Sequence, residues 1–62
     1  MTEDELYQPA VNLVLQERRV SAMLVQSHLM VGYSRAARLI SRMEQEGIVS
    51  ALDDVGKREV LT

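Results

Sequence analysis

The stretch Val31-Gly32-Tyr33-Ser34-Arg35-Ala36-Ala37-Arg38-Leu39-Ile40-Ser41-Arg42-Met43-Glu44-Gln45-Glu46-Gly47 decides how this chain is read. Gly32 interrupts the apolar pattern before it and is expected to take a positive φ in a tight turn. Ser34 is a good N-cap residue and Gly47 suits the position just past a helix end, so a helix is predicted over 34–46. At about 100° per residue, Ser34, Arg35, Arg38, Ser41, Arg42 and Gln45 fall on one arc, while Ala36, Ala37, Leu39, Ile40 and Met43 fall on the other. Three arginines thus share a face that no acidic residue interrupts before Glu44 and Glu46 at its borders.

Upstream, Thr2-Glu3-Asp4-Glu5 places carboxylates where the positive end of a helix macrodipole favours them. Leu6, Ala10, Leu13 and Val14, flanked by Tyr7, Val11 and Leu15, then recur at helical spacing, predicting a first helix over about Glu3–Arg18. Pro9 is expected in its first turn, where a missing N–H matters least. Val20-Ser21-Ala22 reads as a short edge strand, and Ser21 is also the plausible cap of a short second helix through Leu29. After Gly47, the runs Ile48–Leu52 and Lys57–Thr62 around Asp53-Asp54-Val55-Gly56 read as a β-hairpin. Residues 1–62 are therefore expected to form one domain of α+β class, mainly α. Its architecture would be a winged helix-turn-helix of three helices, a short strand and a C-terminal β-hairpin wing.

Composition narrows the chemistry. Sixty-two residues make one small domain that buries about 60% of its unfolded surface, which leaves little room for a catalytic cleft. With 47% hydrophobic and 26% charged residues the chain has the apolar material to fold. Absence of cysteine removes disulfides, thiolate catalysis and Cys-based zinc sites, and His28 is the sole histidine, so no metal site or cofactor is expected. His28 reads as a half-exposed residue of the second helix, and Met23, Met30 and Met43 read as gap-filling core or boundary residues. Asp53-Asp54 is turn chemistry rather than a calcium loop. No P-loop is present and no nucleophile has a base beside it, so the domain is not expected to be an enzyme. No apolar run reaches the length of a membrane span and the acidic start is unlike a signal peptide; a cytoplasmic location is expected.

The formal charge of −2 by itself disfavours a nucleic-acid partner. Its distribution reverses that inference: five of the seven basic residues lie in the third helix and the expected wing, and three of the nine acidic ones in the first five positions. An arginine fork matches the O6/N7 edge of guanine in the major groove and can equally clamp a phosphate, while serines permit close approach. Ser34, Arg35, Arg38, Ser41 and Arg42, with Lys57 and Arg58 in the wing, are the candidate DNA-binding residues. The alternative is a solvated helix face, with Arg42 and Glu46 an ordinary i,i+4 surface pair.

The segment from Val31 to Ile40 closely resembles the Gly-Tyr-Asn-Arg-Ala-Ala-Arg signature of the gamma domain at the carboxyl end of the FtsK/SpoIIIE DNA translocases. Leu6-Tyr7, Ala10-Val11, Val25-Gln26, Met43-Glu44, Gly47-Ile48-Val49-Ser50 and Gly56 with Arg58-Glu59-Val60-Leu61 extend the resemblance over nearly the whole chain. It implies a winged-helix domain, tethered to a hexameric ATP-driven motor, that reads polar G-rich double-stranded DNA sequences and sets the direction of translocation. It also implies contact with a Xer tyrosine recombinase during chromosome segregation and cell division, in a longer protein anchored to the bacterial inner membrane through other domains. The family's base-reading asparagine falls on Ser34, its key recognition arginine on Arg38 and a recognition-helix glutamate on Ser41. Serine is too short for the bidentate amide contact that asparagine makes to adenine. Two rival readings use the same fold: a protein–protein interaction module, and a small transcriptional regulator, for which 62 residues leave little space for a dimerisation element.

Overall fold

In the computed structural model, which describes residues 2–62, three helices are followed by an irregular return: α1 (Glu3–Glu17), α2 (Ala22–Leu29) and α3 (Tyr33–Gln45). Thr2 starts α1 with a reciprocal cap, its hydroxyl accepting from the Glu5 N–H at 3.2 Å while the Glu5 carboxylate accepts from the Thr2 N–H at 3.2 Å. Two of the helix's orphan donors are satisfied in this way. Pro9 lies beyond the first turn, contrary to the expectation above, so α1 forgoes one interior N–H bond there without breaking. Ser21 caps α2, its Oγ accepting from the Leu24 N–H at 3.2 Å.

The turns are built differently from the sequence reading. Gly32 has φ −73° and is itself the N-cap of α3, with no side-chain cap bond; Ser34 lies inside the first turn. The left-handed backbone falls instead on Arg18 (φ 55°) and Met30 (φ 56°), which end α1 and α2. At α3 the expected glycine stop is present. Gly47 has φ +78°, its N–H donates to the Glu44 carbonyl, and the Ile48 N–H donates to the Met43 carbonyl at 2.9 Å, which closes the helix end.

The core is one cluster. Leu6, Tyr7, Ala10, Val11 and Val14 of α1 pack with Val25 of α2, Ala36, Leu39, Ile40 and Met43 of α3, and Val49 of the return. These are the positions whose 3.6-residue spacing marks the inner faces. Met43 is fully buried, but Met23 and Met30 are 70% and 88% exposed and take no part in the core, correcting the sequence reading of them.

The predicted strand at Val20–Ala22 and the C-terminal hairpin wing are not seen: the described residues contain three helices and no strand, so the fold is mainly helical and not the expected α+β arrangement. Ser21 and Ala22 are consumed by the start of α2. The return over 48–61 comes back on itself but holds one isolated antiparallel bridge, Val49 to Val60. Side chains intercept the ladder that would extend it. The Glu59 N–H donates to Ser50 Oγ at 2.8 Å rather than to the Ser50 carbonyl, and that carbonyl accepts from Arg58 Nη1 at 3.1 Å. At the tip the Gly56 N–H donates to the Asp53 carbonyl at 3.0 Å and the Asp53 N–H to the Lys57 carbonyl at 2.8 Å, a turn to which Asp53 Oδ1 adds bonds from the N–H groups of Val55 and Lys57, both at 2.9 Å.

Because Met30 is exposed and carries left-handed backbone, Met30→Gly is expected to relieve more αL strain than the added unfolded-state freedom costs. The expected gain is about 0.5–1 kcal/mol, read as a raised urea midpoint with unchanged slope. A lowered midpoint contradicts this account of the turn.

Candidate nucleic-acid interface

Burial of Ala36, Leu39, Ile40 and Met43 rotates α3 so that Ser34, Arg38 and Ser41 are exposed and Arg35 is half-buried beside them. Arg38 Nε donates to Glu3 Oε1 at 2.6 Å, and no other hydrogen bond involves its side chain among the described residues. Arg42 is bound on several sides. Its Nε donates to Glu46 Oε2 at 3.2 Å, its Nη1 to Asp4 Oδ1 at 2.8 Å, and its guanidinium carbon stands 4.0 Å over the Tyr7 ring centroid. The Tyr7 hydroxyl in turn donates to Glu46 Oε1 at 2.8 Å. The contacts advance in the same direction along α1 and α3: Glu3 with Arg38, Asp4 with Arg42, Tyr7 with Glu46.

Arg58 is also engaged, donating from Nη1 to Glu44 and to the Ser50 carbonyl, and it ties the return to the end of α3. Arg35 and Lys57 have no ion pair among the described residues. The seven predicted residues therefore do not form one uniform cationic face. Arg38 reaches solvent with one nitrogen committed, Arg42 and Arg58 are committed to intramolecular partners, and Arg35 and Lys57 are uncommitted.

A groove of about 800 Å³ lies between α3, the end of α1 and the return. Ser41, Lys57 and Arg58 line it together with Arg18 and Arg19, against a single acidic residue, Glu59; Tyr33, Ala37 and Leu52 supply apolar wall. Ser34, Arg35, Arg38 and Arg42 lie outside it. Arg18 and Arg19 were assigned by sequence only to the helix end, and no local signal connects them with Lys57. Arg18 reaches the carbonyl of Thr62 at 2.7 Å, which anchors the far end of the return. The contacts of Glu3 and Asp4 with α3 were likewise illegible, since their partners are 35 and 38 residues away. His28 is exposed, with Nδ1 3.1 Å from the Leu24 carbonyl. No group of residues suited to a metal ion occurs among the described residues, and no helix there is long and apolar enough to cross a membrane.

The fold is thus a three-helix domain with an arginine-bearing third helix beside a cationic groove. The chain belongs to the FtsK gamma domain family: the sequence model described as "Ftsk gamma domain" matches residues 1–62. It is 55% identical over 58 residues to DNA translocase FtsK 2 of Ralstonia nicotianae, covering 94% of this chain and 7% of that protein. It is 47% identical over 58 residues to DNA translocase FtsK of Caulobacter vibrioides, with the same coverages, 94% and 7%. To DNA translocase FtsK of Rickettsia bellii it is 49% identical over 61 residues, covering 97% of this chain and 8% of that one. The chain thus spans less than a tenth of the length of these relatives.

The Tyr7–Glu46–Arg42 cluster makes stability pH-dependent at both extremes. Burial, and next the hydrogen bond to Glu46, push the Tyr7 hydroxyl up to about 12, while the Tyr7 and Arg42 hydrogen bonds hold the Glu46 carboxyl below its ordinary value. An unfolded tyrosine ionises near pH 10, so the Tyr7 contribution is complete below about 10 and is lost as pH rises through about 12. The Glu46 contribution is present above the ordinary carboxylate range and is lost as pH falls through its lowered value. Tyr7→Phe is expected to cost about 1 kcal/mol at neutral pH and to remove this residue's part of the alkaline decline. Urea unfolding followed from neutral pH to about 12 checks both; an undiminished alkaline decline in the variant contradicts the assignment.

Proposed function

We propose that this domain binds double-stranded DNA with a preference for polar G-rich sequences and so orients a translocase to which it is joined. The observation that carries the reading is the exposed Ser34–Arg38–Ser41 row on α3, in which the Nη1/Nη2 edge of Arg38 has no acceptor among the described residues. That edge fits guanine O6 and N7 in the major groove. Arg35, the cationic groove and Lys57 then serve phosphates, which set register and supply the salt-dependent part of affinity. Serines at 34 and 41 offer single hydrogen bonds, so guanine contact by Arg38 dominates the preference. In this reading the domain has no catalytic role. The ATP-driven step belongs to a motor elsewhere in a longer protein, which works at the cytoplasmic side of a membrane that other segments cross.

A second reading, contact with a Xer tyrosine recombinase, is favoured by Met23 and Met30, apolar side chains left in solvent on α2 and at its end. Met23→Glu with Met30→Glu is expected to abolish stimulation of recombination. Undiminished stimulation argues against that surface.

Two variants separate base from backbone contacts in duplex titrations. Arg38→Ala is expected to cost about 1–3 kcal/mol on a G-rich duplex and little on a scrambled one. Lys57→Ala is expected to weaken both duplexes alike and to reduce the salt dependence by about one phosphate. Equal binding of Arg38→Ala and the parent to G-rich DNA overturns the base assignment, and a sequence-selective loss in Lys57→Ala overturns the backbone one.

A further inference from the structure

The acidic first turn of α1 meets the α3 row at one residue, and the geometry of that meeting is specific. Glu3 Oε1 takes only the Nε proton of Arg38, at 2.6 Å. A guanidinium has a side edge, which includes Nε, and an end edge formed by Nη1 and Nη2. Occupying Nε fixes the plane of the fork and leaves its end edge presented to solvent, where Arg38 is 60% exposed. Arg42, one turn on, shows the contrast: carboxylates hold both its Nε and its Nη1, and its face lies on Tyr7.

Glu3 is itself held in place, since the Thr2–Glu5 cap orders the turn that carries it. Its carboxylate also has an electrostatic effect on what Arg38 can bind. A negative charge beside the guanidinium weakens its attraction for an anionic phosphate, which approaches as a full charge, more than for the neutral acceptor edge of guanine.

We propose that Glu3 is a positioning residue for Arg38, holding its Nε so that the Nη1/Nη2 fork is pre-set for a guanine edge and disfavoured for a phosphate. The proposal rests on the reading of α3 as the DNA-contacting helix. Pre-setting the fork reduces the side-chain freedom lost on binding, and the reduction is realised only where both terminal nitrogens find acceptors. Glu3 therefore acts on discrimination between sequences more than on total affinity.

The test is a fluorescence-anisotropy titration of a G-rich duplex and its scrambled counterpart, with the parent, Glu3→Ala, Glu3→Gln, Arg38→Ala and the double variant Glu3→Ala/Arg38→Ala. The ratio of the two affinities is the readout. Glu3→Ala is expected to lower the ratio about fivefold, partly by tightening binding to the scrambled duplex. Glu3→Gln retains an acceptor for Nε but loses the charge, and is expected to give a ratio between those of the parent and Glu3→Ala. In the Arg38→Ala background, Glu3→Ala is expected to change the ratio no further. A parental preference that survives Glu3→Ala, or an equal fall in the Arg38→Ala background, overturns the positioning role alone. A parent that binds both duplexes equally overturns the reading of α3, and this inference with it. Glu3 is absent from the core, so matching helical circular dichroism among the variants confines the comparison to binding.

Discussion

Burial of one face of α3 is the constraint on which the rest of the molecule depends. Ala36, Leu39, Ile40 and Met43 are each at most 4% exposed and form one cluster with Ala10, Val11 and Val14 of α1 and Val25 of α2. Each fully buried aliphatic side chain of this kind is worth roughly 1.5–3 kcal/mol, so rotation of α3 about its axis would expose more apolar surface than a domain of this size can spare. With that rotation set, the exposure of Ser34, Arg38 and Ser41 follows from helical geometry. The two alanines contribute by size: Ala36 has no exposed surface and Ala37 is only partly covered, which permits close approach on this side of the helix.

The same packing brings α1 and α3 together where their charges are opposite. The four ion pairs among the described residues involve side chains that are mostly well exposed, and pairs of that kind stabilise a fold little. Their consequence is geometric rather than energetic. They divide the arginines into Arg42, stacked on Tyr7 and held by two carboxylates, Arg58, which ties the return to α3, and Arg38, held at one nitrogen only. A charge distribution that reads as segregated along the chain is thus compensated in space. The net charge of −2 remains compatible with a local cationic groove because Arg18, Arg19 and Lys57 converge from residues far apart in sequence.

The C-terminal return shows how local side-chain chemistry overrides a β-prone pattern. Ile48-Val49 and Val60-Leu61 are close enough to form one bridge, and Val49 contributes to the core. Ser50 and Asp53 then satisfy backbone N–H groups that a ladder would otherwise use, and Arg58 occupies the Ser50 carbonyl. With these donors and acceptors already paired, extending the strands would gain few hydrogen bonds, and the segment stays irregular.

Helix number and order, the inner faces of α1 and α3, the Ser21 cap and the Gly47 stop were legible in the sequence because each depends on residues within about one or two turns of one another. Family membership was legible for the same reason, carried by the run from Gly32 to Ile40. The left-handed residues that close α1 and α2 were not: Gly32 was the natural candidate, yet these helices end on Arg18 and Met30, where closing the turn outweighs residue preference. The strand failed because Ser21 and Ala22 open α2, and the wing because Ser50, Asp53 and Arg58 compete for backbone groups in a way invisible to an alternation of apolar residues. By itself, then, the sequence determined which helices form and which of their faces are apolar, both local properties of spacing. Only the tertiary structure decided which arginines are free. That depends on carboxylates 35 and 38 residues away, delivered by helix packing rather than by any pattern along the chain.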